Sequence, residues 1–485
     1  MLDFEVTNYI SGEMVVGDSG HAVDSINPAN GELLASVCYV SDKQAQEAVN
    51  AAKLGQKVWA GYSGVERGRI LNEVARLIRI NRMRIAELEA MDAGKPISET
   101  PEADVDSAAD CFEYFAAIAQ TLQSEHIKVD GGFAYTTREP LGVVFAIGAW
   151  NYPFQIASWK SAPALACGNS VVFKPAGLTP VTAVELGKIM KQAGLPDGVF
   201  NVIHAGRDIA SSLCSHKDIS KVSLTGSVQT GQAIMKQCAS TLKHLTMELG
   251  GKSPLLIFDD ADLEVAVESA LFANFYTQGE ICTNGTRVFV QRSVYNDFIS
   301  KMVVRTEQLK LGDTLDVETD MGALIDTAHM ETVLGYIRKG IEEGARLVTG
   351  GERAVEGGLA KGNYVKPTIF ADCHDDMTIV REEIFGPVMS VLLFDTEEEV
   401  IARANGSEFG LAAGVITENL SRAHRVAAQL EAGTCWVNTY NITPVNMPFG
   451  GVKMSGIGRE NGWAAVDHFT ERKTIFIAIK ENTKG

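Results

Sequence analysis

The chain lacks any apolar run near the ~18 uninterrupted residues that a membrane-spanning helix needs. Its opening, Met1-Leu2-Asp3-Phe4-Glu5, has neither the basic nor the apolar stretch of a signal peptide. Cysteine is sparse and scattered: eight thiols with no CxxC pair, and nine histidines with no HxxxH pair. A zinc site and a disulfide scaffold are therefore not expected, and reduced thiols point to the cytoplasm. Positive charge is also short. Lys and Arg number 43 against 61 Asp and Glu, a net charge of −18. An excess that acidic argues against nucleic acid or an anionic membrane surface as the main partner. No internal repeat and no low-complexity tract is visible. With 46% hydrophobic residues over 485 positions, the chain can bury several cores unaided.

What is present is a regular alternation from residue 141 onward. Short β-rich apolar runs at 143–147, 170–173, 199–203 and 222–224 are separated by helical patterns at 157–166, 181–193 and 208–215. A second stretch opens at 254–258, continues through a long helix at 262–276, and has further runs at 289–290, 388–394, 413–416 and 434–437. Such continuous apolar runs between amphipathic helices predict parallel sheets covered on both faces. Residues 1–120 read as a short β-rich start followed by long helices at 43–59 and 65–92. The Gly/Pro-rich segment 446–462 reads as an ordered loop. Two extended stretches, 133–137 and 474–479, fit neither lobe. An unpaired apolar strand is an aggregation-prone edge, so these two predict pairing across subunits.

Several residues could carry chemistry. Leu224-Thr225-Gly226-Ser227 follows a strand and opens a helix, a place suited to phosphate. It is neither a Walker loop nor GxGxxG, and alone it reads more often as an ordinary strand–turn–helix corner. Lys174 lies at the carboxyl end of a strand, where open α/β sheets bind ligands. Cys282, in Gln278-Gly279-Glu280-Ile281-Cys282-Thr283-Asn284-Gly285, sits in a polar, glycine-flanked setting unlike that of Cys167 or Cys214. A reactive thiolate needs such access and local donors. Glu248 interrupts an apolar run just before two glycines, as a solvated strand end or as a general base. Asn151 follows a strand, as a turn former or as an oxyanion donor.

Taken together, the order Trp150-Asn151-Tyr152-Pro153, Lys174-Pro175, Thr225-Gly226-Ser227, Glu248-Leu249-Gly250-Gly251, Gly279 to Cys282, Glu382 to Pro387 and Pro448 to Gly451 resembles the NAD(P)-dependent aldehyde dehydrogenase superfamily over essentially the whole chain. Within it, Cys282 to Val290, Gly148 to Gly168 and Met377 to Ser390 are similar to the betaine aldehyde dehydrogenases, with the 4-trimethylaminobutyraldehyde enzymes sharing most of these segments. The resemblance implies an α/β fold of two parallel-sheet lobes plus a small β oligomerisation element. Residues 1–122 and 144–253 would bind cofactor, 254–450 would be catalytic, and 123–143 with 468–485 would assemble a homodimer or homotetramer.

It also implies roles. Cys282 is the nucleophile, Asn151 the oxyanion donor and Glu248 the base that activates water, with Lys160 and Glu460 as a proton relay. NAD would be held by Trp150, Lys174, Gly177, Gly226, Ser227, Glu383 and Phe385. At Gly177 many NAD-preferring relatives carry Glu, which leaves NADP open. The substrate, betaine aldehyde or alternatively 4-trimethylaminobutyraldehyde or another aminoaldehyde, would meet Tyr152, Trp159, Tyr276, Trp436 and Phe449. A quaternary ammonium has no N–H to donate and is recognised by aromatic faces. Cys435 would leave room for its methyl groups, and Glu102, Asp104, Asp106 and Asp110 would add a negative field at the entrance. Ser25, Ile26 and Asp92 match a monovalent cation site of the K+ type. Two other classes, a CoA-acylating enzyme and a non-catalytic relative, are disfavoured by the joint presence of Cys282, Glu248 and Asn151.

Overall fold

The structure, a computed structural model, describes residues 6–479. The opening pentapeptide and positions 480–485 of the expected assembly segment lie outside the described residues. Five strands form the parallel centre of the first sheet: β1 (Val143–Ile147), β2 (Ser170–Lys174), β3 (Phe200–Val202), β4 (Lys221–Thr225) and β5 (His244–Glu248). Their spatial order is β3-β2-β1-β4-β5, with Asn8–Ile10 added antiparallel at one edge and Gly456–Ile457 at the other. The chain thus winds outward one way from β1 and then the other way from β4. The crevice between the carboxyl ends of β1 and β4 is the switch point at which such sheets bind ligands.

The all-apolar run of β1 explains its central place. Val144 and Ala146 pack into the core on one face, and Val143, Phe145 and Ile147 into the core on the other. A period of two puts both sets under cover, so no polar residue is tolerated. The second sheet repeats this. Its parallel strands run, in space, Thr368–Ala371, Val388–Phe394, Arg287–Gln291, Pro254–Ile257, Ala412–Ile416 and Thr434–Val437, with Arg346–Thr349 antiparallel at the edge. Leu256 faces one core, and Leu255 and Ile257 the other.

Four expectations are corrected. The helix read over 65–92 is two helices, Gly64–Ile80 and Arg82–Ala93, broken at Asn81, whose side-chain amide donates to the Leu77 carbonyl. The helix read from 157 begins at Pro153, since proline's fixed φ and missing N–H suit a first turn. The loop 446–462 contains two short strands, Val452–Lys453 and Gly456–Ile457, the second paired with the end of β5. The strands Gly132–Pro140 and Thr470–Ala478 pair with each other within the chain, antiparallel, with Thr474 opposite Thr136. Together with His126–Val129 they make a three-stranded sheet. The apolar terminal strand therefore gains its partner locally and retains one open edge. Among the described residues no helix is long and apolar enough to cross a membrane.

Candidate active site

A cavity of about 1030 Å³ opens where the carboxyl ends of the first sheet meet the second lobe. It gathers Trp150 and Asn151 after β1, Gly226 and Ser227 after β4, Glu248 at the end of β5, and Cys282, Glu383, Phe385 and Glu460 from the later chain. The nucleophile loop reaches this point by an unusual path. After the helix Leu263–Phe275, Thr277 and Gln278 take left-handed conformations, with φ of 49° and 42°. Glu99, buried beneath, holds Thr277 by accepting from its N–H and its hydroxyl, each at 3.0 Å. Two glycines let the backbones close in. A Cβ at Gly279 would lie 2.3 Å from the Gly386 carbonyl carbon, and one at Gly251 2.5 Å from the Cys282 carbonyl oxygen.

Asn151 donates one N–H of its amide to the Glu280 carbonyl at 2.9 Å and lines the cavity with Cys282. An amide has two N–H donors, so the second is free for an oxyanion. Burial, and then the charges of Glu248 and Glu383, push the Cys282 thiol far up. Burial and the Glu460 carboxylate likewise push Glu248 well above the ordinary carboxylate range. Both groups thus hold their protons more tightly than exposed ones would, and they share one cavity. Glu460 pairs with buried Lys160, and Lys160 also donates to Ser223 at 3.1 Å. One oxygen of Glu248, Oε2, has no partner within the protein.

The residues at the switch point fit a dinucleotide. Ser227 caps the helix Val228–Cys238 by accepting from the Thr230 N–H, which leaves earlier N–H groups of that first turn for a phosphate. The rings of Trp150 and Phe385 stand edge to face, centroids 5.2 Å apart. Glu383 accepts from the Gly251 N–H at 2.8 Å, and burial holds its carboxyl up to about 7. Lys174 ends β2 beside β1 and donates to the Pro175 carbonyl at 3.2 Å. Neither Lys174 nor Gly177 lines the cavity itself. A Cβ at Gly177 would come within 3.1 Å of the Tyr39 hydroxyl.

Of the aromatic positions, Tyr152, Trp159, Tyr276 and Phe449 line the cavity. Trp159 and Phe449 pack edge to face at 5.6 Å. Trp436 and Cys435 do not line it. The Trp436 indole is a core element, its ring tilted at 48° to that of Tyr440 with centroids 4.8 Å apart, and it donates to the Ile442 carbonyl. Cys435 packs against the other face of the second sheet. The expectation of a small residue beside the head group is corrected accordingly, since alternate residues of this strand face the two cores of the second lobe and neither face meets the cavity. Glu102, Asp106 and Asp110 lie on the cavity, whereas Asp104 is fully buried and ion-paired to Lys95 at 2.6 Å. Ser25 donates to Asp92 at 2.5 Å away from the cavity, with Ile26 next in the strand. The Asp92 carboxyl is buried, and burial raises it to about 7.

Three residues escaped the sequence reading. Glu99 carries no motif that distinguishes it from a surface acid. His329, which lines the cavity, opens a helix in a stretch with no signal. Glu280 stood in plain view two residues before Cys282, and a carboxylate in that segment was the available clue.

The sequence and the fold are similar to those of known proteins. The Aldehyde dehydrogenase family model matches residues 15–475. A betaine aldehyde dehydrogenase of Vibrio vulnificus is 52% identical, covering 98% of each chain. 4-Trimethylaminobutyraldehyde dehydrogenase A of Danio rerio is 53% identical over 95% of this chain and 91% of its own. Among solved structures, an NAD+ complex of aldehyde dehydrogenase from Bacillus cereus superposes with a TM-score of 0.96 at 43% identity, covering 99% of this chain and 98% of that one.

Proposed function

From the premise that this chain belongs to the aldehyde dehydrogenase family, we propose that it oxidises betaine aldehyde to glycine betaine with NAD+ or NADP+. The observation that carries the substrate is the wall of Tyr152, Trp159, Tyr276 and Phe449 in the same cavity as Cys282, Glu102, Asp106 and Asp110. Aromatic faces and carboxylates favour a cation that has no hydrogen to donate. The Vibrio relative's name supports the same choice. The Danio relative supports 4-trimethylaminobutyraldehyde as a second reading, because the head group is shared and only the chain length differs.

The residues divide the work as follows. Cys282 gives its proton to water in the open cavity and its sulfur bonds to the aldehyde carbon, the carbonyl π pair moving onto oxygen. The oxyanion takes hydrogen bonds from the Asn151 amide and the Cys282 N–H, a donor of this kind contributing about 3–4 kcal/mol. When bound, the cofactor would supply a hydride acceptor at nicotinamide, so that the hydrogen of the former aldehyde carbon leaves as hydride and the carbon is left as a thioester of Cys282. Glu248 then takes a proton from water as the water attacks the thioester. The acid departs and Cys282 regains its proton. Glu460 and Lys160 pass the proton of Glu248 onward.

In the same proposal, residues 1–122 and 144–253 bind the cofactor and 254–450 carry the chemistry. Trp150, Glu383 and Phe385 seat nicotinamide and its ribose, Gly226 and Ser227 the pyrophosphate, and Lys174 the adenosine ribose. Gly177, lacking a carboxylate, admits the NADP phosphate. Asp92 with oxygens of Ser25 and Ile26 holds a monovalent cation, which fits a buried carboxyl whose neighbours supply no positive charge. The open edge of the strand Thr470–Ala478 joins copies into a homodimer or homotetramer. The cytoplasm suits eight cysteines that are all free. The test is a panel of aldehydes assayed with NAD+ and NADP+, in the parent and in Cys282→Ala. Oxidation of trimethylammonium aldehydes, lost in Cys282→Ala with cofactor binding kept, is expected. Substantial residual turnover in that variant refutes the assignment.

A further inference from the structure

Glu280 and His329 stand between the two halves of the site. Glu280 is buried, 1% exposed, and its backbone carbonyl is the acceptor that fixes the Asn151 amide at 2.9 Å. Its side chain points the other way. Oε1 accepts from the buried Ile325 N–H at 3.0 Å, and Oε2 from the Gln278 amide at 3.2 Å. His329 brings Nε2 to 3.7 Å from Glu280 Oε1 and to 2.7 Å from the Phe385 carbonyl. A carbonyl only accepts, so Nε2 carries the hydrogen. The imidazole also stands edge-on to Trp150, centroids 5.5 Å apart.

Both ends of this bridge touch strained backbone. Phe385 has a φ of 59°, a conformation that bulky residues rarely adopt, and its carbonyl is the one His329 holds. Gln278, with a φ of 42°, is tied by its side chain to Glu280. Left-handed non-glycine residues persist where the surroundings over-determine them. Burial pushes the Glu280 carboxyl well above the ordinary carboxylate range, and the Ile325 N–H and the Gln278 amide are the two groups that donate to it.

We propose that Glu280 and His329 are positioning residues that lock the nucleophile loop and its oxyanion amide to the aromatic wall of the cofactor site. The inference rests on the dehydrogenase reading of the cavity. One residue, Glu280, places its carbonyl on the oxyanion side and its carboxylate on the cofactor side. Disturbing either end of the bridge is therefore felt at the other. His329→Ala releases the Phe385 carbonyl, and the link onward to the loop that ends at Cys282 runs through Ile325, four residues earlier, whose N–H donates to the Glu280 carboxyl at 3.0 Å.

The experiment is a double-mutant cycle of Glu280→Gln and His329→Ala, with His329→Gln as the rescue, since its amide can still donate to the Phe385 carbonyl. Glu280→Gln keeps an oxygen for the Ile325 N–H, so the fold survives. Three readouts are taken: NAD+ affinity by calorimetry, the alkylation rate of Cys282 by iodoacetamide in cofactor-free protein followed by peptide mass spectrometry, and Tm. His329→Ala is expected to weaken NAD+ about ten-fold and to change the Cys282 alkylation rate about three-fold or more, with His329→Gln restoring most of both. The double variant is expected to be less impaired than the product of the single effects. Independent effects that multiply, or a fall in Tm with unchanged affinity and alkylation, overturn the proposal. The alkylation arm needs neither substrate nor cofactor. It decides the bridge even where a parent enzyme that oxidises no aldehyde would have refuted the dehydrogenase reading.

Discussion

Replacing Trp159 separates a cation cage from a hydrophobic wall. The indole is 5% exposed, lines the cavity, packs on Phe449 and donates to the Ser107 hydroxyl at 3.2 Å. Betaine aldehyde and 3,3-dimethylbutanal have nearly the same shape, and only the first is charged. Trp159→Ala removes packing for both substrates and the ring quadrupole for one. The quadrupole is worth about 1–2 kcal/mol in a desolvated site, so kcat/KM for betaine aldehyde should fall roughly five- to thirty-fold further than for the neutral aldehyde. Trp159→Phe keeps an aromatic face and loses the bond to Ser107, so it should recover most of the difference. Because a large-to-small change in a core costs about 3–5 kcal/mol, Tm is measured alongside to show that the variant remains folded at the assay temperature. The assay is initial-rate absorbance of reduced cofactor for both aldehydes in all three proteins. Equal losses for charged and neutral substrates in Trp159→Ala would refute the cage.

Four further outcomes follow from the structure. Glu248→Gln should still release a pre-steady-state burst of reduced cofactor if Asn151 and Cys282 are intact, while steady-state turnover falls at least a hundred-fold, about the contribution of a general base. In the parent, turnover should decline as pH falls through a value above the ordinary carboxylate range, because burial and Glu460 raise Glu248, and stopped-flow across pH 5–9 checks this. Gly177→Glu should weaken NADP+ several-fold relative to NAD+ by placing a carboxylate against the extra phosphate, the Tyr39 hydroxyl yielding slightly to admit the new Cβ; calorimetry with both cofactors decides it. Potassium chloride should raise Tm above lithium chloride at equal ionic strength, and Asp92→Ala should abolish the difference, since a cation that binds only the folded protein stabilises it.

Legibility in the sequence followed how local each cause was. The strands β1, β2 and β4 could be read because burial on both faces demands unbroken apolar runs, and Val143–Ile147 has no other reading. The chemistry of Cys282, Glu248 and Asn151 was legible only as a set, since each alone has a structural use. Cys435 and Trp436 show the limit. They lie beside each other on one strand shortly before cavity-forming chain, and nothing local says that each face of that strand meets a core of the second lobe and neither meets the cavity. The break at Asn81 was hidden because the apolar period runs on through it. Glu280 and His329 are 49 positions apart in number, and only the return of the chain through Phe385 brings their side chains to 3.7 Å.

The same crowding that prepares the chemistry must cost stability, and that cost can be measured. Glu248 is buried beside Glu460, with one oxygen unpartnered, and burial is the first cause of its raised proton affinity. A carboxyl that holds its proton more tightly in the folded chain than in the unfolded one destabilises the fold once it must ionise. Below the unfolded pKa both states are protonated and nothing is lost. The loss grows as pH rises between the unfolded and folded values and is complete above the folded one. Glu248→Gln removes the titration with little change in volume. Its Tm should therefore exceed the parent's, by little at pH 5 and by more at pH 9. Scanning calorimetry at one scan rate across that range measures the difference. A difference that shrinks with rising pH, or a variant less stable than the parent throughout, would mean that Glu248 is stabilised as an anion, and the account of it as a buried base with raised affinity would fail.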